Sequence, residues 1–471
     1  MRIAIATLGC KINQYDSAVI QSRAAERHAL VPFEEAADCY IVNTCTVTDR
    51  ADWEARQLVR RARRRNPAAR VILTGCYAQV SPAEAARIPG VDYVVGLNRL
   101  EDLFRYVERS GPPPAERVAV GDVRRERGIP VLGTRALPGH TRAFLKVQEG
   151  CDYSCTYCII PEARGRSRSV APRSVLEQVR LLAEAGYREI VLTGIHLGGY
   201  GRDLEPRLDL AALVAAIAEE SLVPRLRLSS LDPREVSDRL LDLMADGGAV
   251  CPHLHVCAQA GTDRILRLMR RNYDSGYYRE LVWRVRERLP EAAIGTDIIV
   301  GFPGETEREF EASLDYFASL PLTYFHVFPF SVRRGTAAAT LPDPVPSAVK
   351  KERARRMREL GAAKKAEFYE KFRGRVLPVL IEEKTDPGTG GNRGLSRNYL
   401  RVTVSGTVAV NREIDVLVES VERGMLRGVP VPAGDGAASG AIESGFRSSI
   451  AAGRGGRPLG GEDDGSMPPS R

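Results

Sequence analysis

Between residues 143 and 329 of this 471-residue chain, six apolar β-like segments alternate with helical stretches: Ala143–Val147, Glu189–Thr193, Arg225–Ser229, His253–Ala258, Ala293–Val300 and Phe325–Pro329. Strands separated by helices pair in parallel, because each crossover helix must pack back onto the sheet. Six such units predict an incomplete version of the eight-unit barrel, with active groups on the loops after the strands. The first of these strands leads into Cys151-Asp-Tyr-Ser-Cys155-Thr-Tyr-Cys158. Three thiols at this spacing with no fourth nearby suit an iron–sulfur cluster that leaves one iron open. Structural zinc sites are usually closed by four ligands, often as two Cys pairs, and fit the run less well.

The first hundred residues show a second alternating pattern. Arg2 to Thr7, Cys39 to Asn43 and Val71 to Thr74 read as strands, with helical patterns near Ser17 to His28 and Asp52 to Arg65. The three strands run on into Cys10, Cys45 and Cys76. In one parallel sheet their carboxyl ends share an edge, where open α/β sheets place ligands, so three distant thiols would meet there. The expected fold is α/β: an open parallel sheet over 1–112, a partial (β/α)6 barrel over 137–345, a basic linker helix over 346–372 and a small all-β barrel over 373–432. Residues 111–138 read as a connector rich in Pro and Gly, and 433–471, poor in large apolar residues, as a disordered tail.

Hydrophobic and charged fractions of 44% and 27% are those of an ordinary globular protein. No apolar run approaches membrane-spanning length, so no membrane partner and a cytoplasmic location are expected. In a reducing compartment the nine Cys are better read as metal or redox groups than as disulfides. A net charge of +8 fits a polyanionic partner without requiring one. Its distribution is more telling: Arg56, Arg60, Arg61, Arg63, Arg64 and Arg65 crowd one segment, and Lys351, Arg353, Arg355, Arg356, Arg358, Lys364 and Lys365 another. Solvated helix faces are the ordinary explanation for either run.

By its Cys motif and six βα units, the stretch 137–345 resembles the radical S-adenosylmethionine (SAM) superfamily. The resemblance implies that Cys151, Cys155 and Cys158 hold a 4Fe-4S cluster whose fourth iron position takes the amino and carboxyl groups of SAM. It also implies SAM contacts at Tyr157, at Thr193 and Gly194 after the second strand, at Ser229 and Ser230 after the third, at Gln259 after the fourth, and at Asp297 and Gly301. Each of these also has a local reading as strand-end packing or a turn. His253 and His255 read as structural histidines. Cys39, Cys251 and Cys257 read as small buried residues.

The whole order, ending in a barrel that resembles a TRAM domain, is similar to the methylthiotransferase family. Thr-Leu-Gly-Cys10-Lys-Ile-Asn-Gln-Tyr, Asn-Thr-Cys45-Thr-Val-Thr and Thr-Gly-Cys76-Tyr-Ala-Gln carry that likeness. It implies a second 4Fe-4S cluster on Cys10, Cys45 and Cys76 that carries or donates sulfur. Cys158-Ile-Ile-Pro161, Ala163-Arg-Gly165 and Leu192-Thr-Gly-Ile-His-Leu-Gly198 look most like the branch that modifies N6-threonylcarbamoyladenosine at position 37, beside the tRNA anticodon. Cys257-Ala-Gln259-Ala-Gly261 departs from the family's usual Leu-Gln-Ser-Gly. The implied partners are a tRNA anticodon stem-loop, gripped through the basic helix and by Asn398, Tyr399 and Arg401, and an unidentified reducing electron donor. Isopentenyladenosine in tRNA, a ribosomal-protein aspartate and a non-catalytic iron–sulfur RNA-binding role are the competing readings.

Overall fold

The first sheet is wholly parallel, with strand order β2-β1-β3-β4-β5-β6 built from β1 (Arg2–Thr7), β2 (Ala29–Leu30), β3 (Cys39–Thr44), β4 (Arg70–Gly75), β5 (Tyr93–Val95) and β6 (Val118–Ala119). The computed structural model describes residues 1–109, 111, 117–129, 141–386 and 388–432, and the expected disordered tail lies outside them. β6 comes from the stretch expected to be a connector. The central strand β3 is buried along its whole length, as a parallel strand covered on both faces must be. Helices α1 (Lys11–Ala25), α2 (Asp49–Arg65), α3 (Cys76–Val80), α4 (Pro82–Arg87) and α5 (Leu103–Glu108) complete this layer. α1 starts immediately after Cys10 and not near Ser17, because its buried face carries Asn13, Asp16 and Ser17 where the apolar pattern looks for hydrocarbon.

The next layer contains β7 (Arg142–Glu149), β8 (Arg168–Ser169), β9 (Glu189–Gly194), β10 (Arg225–Leu228), β11 (Ser230–Leu231), β12 (His253–Val256), β13 (Ala293–Val300) and β14 (Tyr324–Pro329). Parallel pairs run β7–β9–β10 and β12–β13–β14, and a Leu226–Val250 bridge extends the first set toward β12. This is the expected six-unit barrel. The short α6 (Ile160–Arg164) follows the Cys motif. Then come α7 (Pro172–Glu184), α8 (Leu210–Glu219), α9 (Asp238–Ala245), α10 (Asp263–Leu268), α11 (Ser275–Arg288) and α12 (Glu307–Ser319). Alternation along the strands separates two faces. Ile190, Leu192, Leu226, Leu228, Leu254 and Val256 join the main apolar core. Their neighbours Glu189, Arg225, Arg227, His253, His255 and Asp297 are polar and bond to one another or to Tyr324.

α13 (Ser347–Glu370) leads to a closed barrel of order β15-β16-β17-β19-β18, from β15 (Val376–Thr385), β16 (Asn392–Ser396), β17 (Arg401–Val404), β18 (Glu413–Glu422) and β19 (Met425–Pro430). β16 was not expected from Asn-Arg-Gly-Leu-Ser, which lacks a strand pattern. A side chain at its Gly394 would collide with Val379, so the glycine serves close strand packing. The basic run on α13 is largely occupied by acids: Arg353 lies 2.8 Å from both Glu305 and Glu307, Arg355 2.6 Å from Glu352, and Arg356 2.6 Å from Glu311. Much of the charge expected to grip RNA therefore fastens the helix to α12 and the loop before it, or pairs along α13 itself.

The small barrel closes the floor of the large one. Glu189 is fully buried and accepts from Arg225 Nε and Arg227 Nε, each at 2.7 Å, while the same guanidinium groups donate to Ser396 O and Arg397 O at 2.9 Å. Tyr399 stacks on His253 at 4.0 Å, and Asn398 donates to Glu291 O. Asn398 and Tyr399, expected to face RNA, are thus committed to this joint. Burial alone would raise the pKa of Glu189, but the two arginines outweigh it and hold the carboxyl down at about 2. Replacing Glu189 with Ala leaves the buried Arg227 without an acid and Arg225 with Glu413 alone, which should lower the unfolding free energy by about 3–5 kcal/mol. Urea denaturation of the purified variant checks this, and an unchanged midpoint would count against a dry joint.

Candidate cluster and cofactor site

Cys10 precedes α1, Cys45 follows β3, and Cys76 is the first residue of α3, so three parallel strands do deliver their thiols to one edge. A Cβ on Gly9 would press against Cys45, and Gly9 has φ +101°, so the chain passes Cys45 only as glycine. Asn13 organises the edge. Its Nδ2 donates to Leu8 O at 2.7 Å and Thr44 O at 2.9 Å, tying together the loops that carry Cys10 and Cys45, and its Oδ1 lies 3.9 Å from Cys76 Sγ. Burial pushes the Cys76 thiol up to about 12 and raises that of Cys45. Because the thiolate is the metal ligand, loading must release protons.

The second set lies on the loop after β7. Gly150 has φ +72°, and a side chain there would run into Arg166 O, so the turn into Cys151 also demands glycine. Cys151, Cys155, Cys158, Tyr157, Ser230 and Gln259 line a cavity of about 150 Å³ together with Asp232, Cys257 and Arg271. Arg271 Nη1 donates to Cys155 Sγ at 3.1 Å, while its Nη2 pairs with Asp232. His196 lies 2.6 Å from Glu235. Although burial opposes it, bonds to Cys151 and Glu235 raise this histidine to about 9. Burial pushes Cys158 up to about 12.

The two thiol sets are neighbours. α3, headed by Cys76, packs on α6, which begins two residues after Cys158. Arg164 at the end of α6 is 2% exposed and pairs with Asp16 of α1 at 2.9 Å and Glu149 of β7 at 3.0 Å. Lys146 pairs with the same two acids at 2.8 Å, and Arg164 also donates to Asn13 Oδ1. A second clamp comes from Arg333, which donates to Thr46 O at 3.2 Å and Asp52 at 2.8 Å and pairs with Asp49. Between the clamps, Val47 and Thr48 face Tyr157, Cys158, Gln259, Asp297 and Phe328 across a cavity of about 210 Å³.

The remaining expected SAM contacts divide. Thr193 Oγ1 and Ser229 Oγ are buried at strand ends, with no hydrogen-bond partner among the described residues. Such orphaned hydroxyls fit a polar ligand. Gln259 has φ +64°, a strained setting for this residue type, held by its N–H to Asp297 O and its O from Ile299 N. Gly194 packs on Gln148, whose Oε1 accepts from His196 N. Gly301 lines neither cavity: its N–H goes to Glu305 at 2.6 Å and Lys350 presses on it, so it is a turn glycine. Cys39 and Cys251 are buried as expected. Cys257, expected to be another, instead donates to Asp297 at 3.2 Å on the cavity wall, beside the 2.8 Å His255–Asp297 pair. Arg164, Lys146, Asp16, Glu149, Arg271 and Asp232 escaped the sequence reading. The available signal was charge at positions of buried elements where hydrocarbon is the rule.

Sulfur-only donor sets on two adjacent loops suit iron–sulfur chemistry. A side-open barrel with thiols after its first strand is the architecture of radical SAM enzymes, and residues 145–317 match that superfamily. Residues 2–96 match the family described as Uncharacterized protein family UPF0004. Threonylcarbamoyladenosine tRNA methylthiotransferase MtaB of Aquifex aeolicus is 39% identical over 419 residues, 89% of this chain and 100% of that one. The protein of that name from Bacillus subtilis is 38% identical over 86% of this chain and 90% of its own. The tRNA-2-methylthio-N(6)-dimethylallyladenosine synthase of Syntrophotalea carbinolica is 35% identical over 82% of this chain and 89% of its own. The radical SAM methyltransferase TsrM from Kitasatospora setae shares the fold, with TM-score 0.52 at 18% identity over 72% of this chain and 77% of that one. The chain belongs to the radical SAM tRNA methylthiotransferase family. It is a transferase that works with SAM and 4Fe-4S chemistry.

Asn13→Leu would leave Leu8 O and Thr44 O without their donor and loosen the edge that carries Cys10 and Cys45. In a background with Cys151, Cys155 and Cys158 changed to Ala, the substitution should reduce reconstituted iron at least about tenfold at limiting iron, since supporting residues of metal sites are worth roughly 10- to 100-fold. Iron and sulfide analysis measures it.

Proposed function

We propose that this enzyme adds a methylthio group to C2 of N6-threonylcarbamoyladenosine at position 37, next to the anticodon of tRNA. The observation that carries the reading is the pairing of two three-thiol sets across the α3–α6 contact, held by Arg164 and Arg333. The names of the Aquifex aeolicus and Bacillus subtilis relatives support the substrate.

In this reading Cys10, Cys45 and Cys76 hold one 4Fe-4S cluster, and Cys151, Cys155 and Cys158 hold the other with SAM. Once bound, these groups supply a carbon radical able to take hydrogen from an aromatic carbon, and the sulfur that replaces it, chemistry beyond the reach of side-chain acids and bases. The chain's own residues orient and shield. Arg271 fixes Cys155 against Asp232. His196 and Glu235 steady Cys151, and Thr193 and Ser229 offer free hydroxyls to SAM. Tyr157, Gln259 and Asp297 wall the space in which the base would lie. Among its lining residues Val47 and Phe328 are exposed, apolar surface suited to an unstacked base of a single-stranded loop.

An anticodon stem-loop is the proposed partner. A cytoplasmic reductant completes the system; among the described residues no helix is long and apolar enough to cross a membrane. Purified enzyme with both clusters, SAM, a strong reductant and a stem-loop bearing N6-threonylcarbamoyladenosine should yield the 2-methylthio nucleoside by mass spectrometry. Cys155→Ala and Cys76→Ala should each abolish it, and only the first should abolish SAM cleavage. Modification of an isopentenyladenosine stem-loop alone would refute the substrate assignment.

A further inference from the structure

The two basic runs of the sequence meet different fates in the fold. On α13 acids take Arg353, Arg355 and Arg356. On α2 most of the run stays free. Leu58, Val59 and Ala62 of this helix join the core of the first sheet's layer, and Trp53, Arg56, Arg60, Arg61 and Arg64 are exposed on the other side. Arg50 lies 2.8 Å from Glu54, Arg63 lies 2.6 Å from Asp92, and Arg65 Nε donates to Glu34 O. Arg60, Arg61 and Arg64 make no hydrogen bond or ion pair among the described residues, and Arg56 makes a single long bond, 3.4 Å to Tyr77 Oη.

Trp53, Arg56, Arg60 and Arg64 follow one another at intervals of three or four residues and so form one stripe. Its arginines stand about 6 Å apart along the axis of the helix. Solvation accounts for exposed arginines but not for Trp53, which at 59% is the most exposed large apolar side chain among the described residues. A row of cations beside an exposed aromatic ring is the combination that tracks a nucleic-acid backbone and stacks a base. The position of α2 gives the stripe a direction. Val47 and Thr48, just before the helix, line the 210 Å³ cavity with Cys158 and Gln259, and Arg333 pins Asp49 and Asp52 of the first turn. From Trp53 to Arg64 the stripe therefore leads away from that cavity, over about 16 Å.

We infer that this face of α2 is the surface on which the anticodon stem lies, with Arg56, Arg60 and Arg64 meeting successive phosphates and Trp53 stacking on a base of the loop. The inference rests on the tRNA reading above. A loop base held in the cavity leaves the stem to follow the helix that starts at the cavity wall. The grip expected of α13 passes in this way to the helix whose charges the protein leaves open.

The test uses the enzyme with both clusters loaded and two RNAs: an anticodon stem-loop with unmodified adenosine at position 37, and a single-stranded oligonucleotide of the loop sequence alone. Arg56→Gln, Arg60→Gln and Arg64→Gln together should weaken stem-loop binding on the order of 10-fold or more. They should also flatten the dependence of log affinity on log salt by about 2–3, at roughly 0.7–0.9 for each lost phosphate contact. Oligonucleotide affinity should fall far less. Iron content, which reports folding, should match the wild type, and Lys at the three positions should restore most of the salt dependence because it keeps the charge. Trp53→Ala should weaken both RNAs. Unchanged stem-loop affinity and salt dependence in the triple Gln variant overturn the inference, as does an equal loss for the two RNAs. A measurement on the wild type needs no variant to fold: stem-loop should protect Arg56, Arg60 and Arg64 from phenylglyoxal, and modification at the same rate with and without RNA overturns the inference too. So does retained RNA affinity with slower cluster reduction by an acidic electron-transfer protein, which would give the surface to the reductant. A wild-type enzyme that binds the stem-loop through the stripe yet leaves N6-threonylcarbamoyladenosine unmodified upholds the surface and removes the substrate reading alone, whereas no binding of the stem-loop removes both.

Discussion

The buried guanidinium of Arg164 is the contact on which the geometry of this enzyme depends. It is reached from three elements of two layers: Asn13 and Asp16 on α1, Glu149 on β7, and its own helix α6 behind the Cys motif. Removing it would leave Asp16 and Glu149 with Lys146 alone, and broken buried ion networks typically cost about 3–5 kcal/mol. Its position also matters electrostatically. Arg164 lowers the pKa of Cys76 against the burial that raises it, and Arg271 does the same for Cys158. Each thiol set therefore has one nearby guanidinium that favours thiolates, and so the ligand form.

Arg164 and Arg333 act at opposite ends of the contact between the N-terminal sheet and the barrel. One holds the loop side of α1, the other the loop after Cys45. A single clamp would allow the sheet edge to pivot; two fix it, and radical chemistry needs that, since a reactive carbon must meet its target before it meets anything else. The floor joint of Glu189, Arg225 and Arg227 repeats the device at the other end of the barrel. Together they give an enzyme whose buried Arg164, Arg227 and Arg333 are each paired with an acid.

Much of this was legible in the sequence because it depended on local pattern. Strand runs of β-branched residues ended in Cys at three points, and the triad spacing after β7 needed no tertiary knowledge to be read. What escaped had one physical cause. The first turns of α1 hid because Asn13 and Asp16 occupy its buried face, and β16 hid because Gly394 replaces the expected apolar residue. The basic run on α13 misled in the opposite direction, since the acids that absorb it lie partly on α12, about 45 residues away in sequence. Pattern methods see hydrocarbon; here the decisive side chains are polar groups satisfied only by partners far along the chain.

The expected SAM contacts differ in whether their polar atoms are already satisfied within the chain. Gly301 matched a superfamily segment, yet its backbone N–H and the space above it are taken by Glu305 and Lys350, so its glycine is explained without any ligand. Thr193 and Ser229 matched no more strongly, yet their hydroxyls are buried with nothing to bond. A buried polar atom left unpaired costs about 1–3 kcal/mol and persists where something outside the chain satisfies it. By that criterion Thr193 and Ser229, at the ends of the adjacent strands β9 and β10, are the expected contacts whose hydroxyls remain open to a ligand from outside the chain.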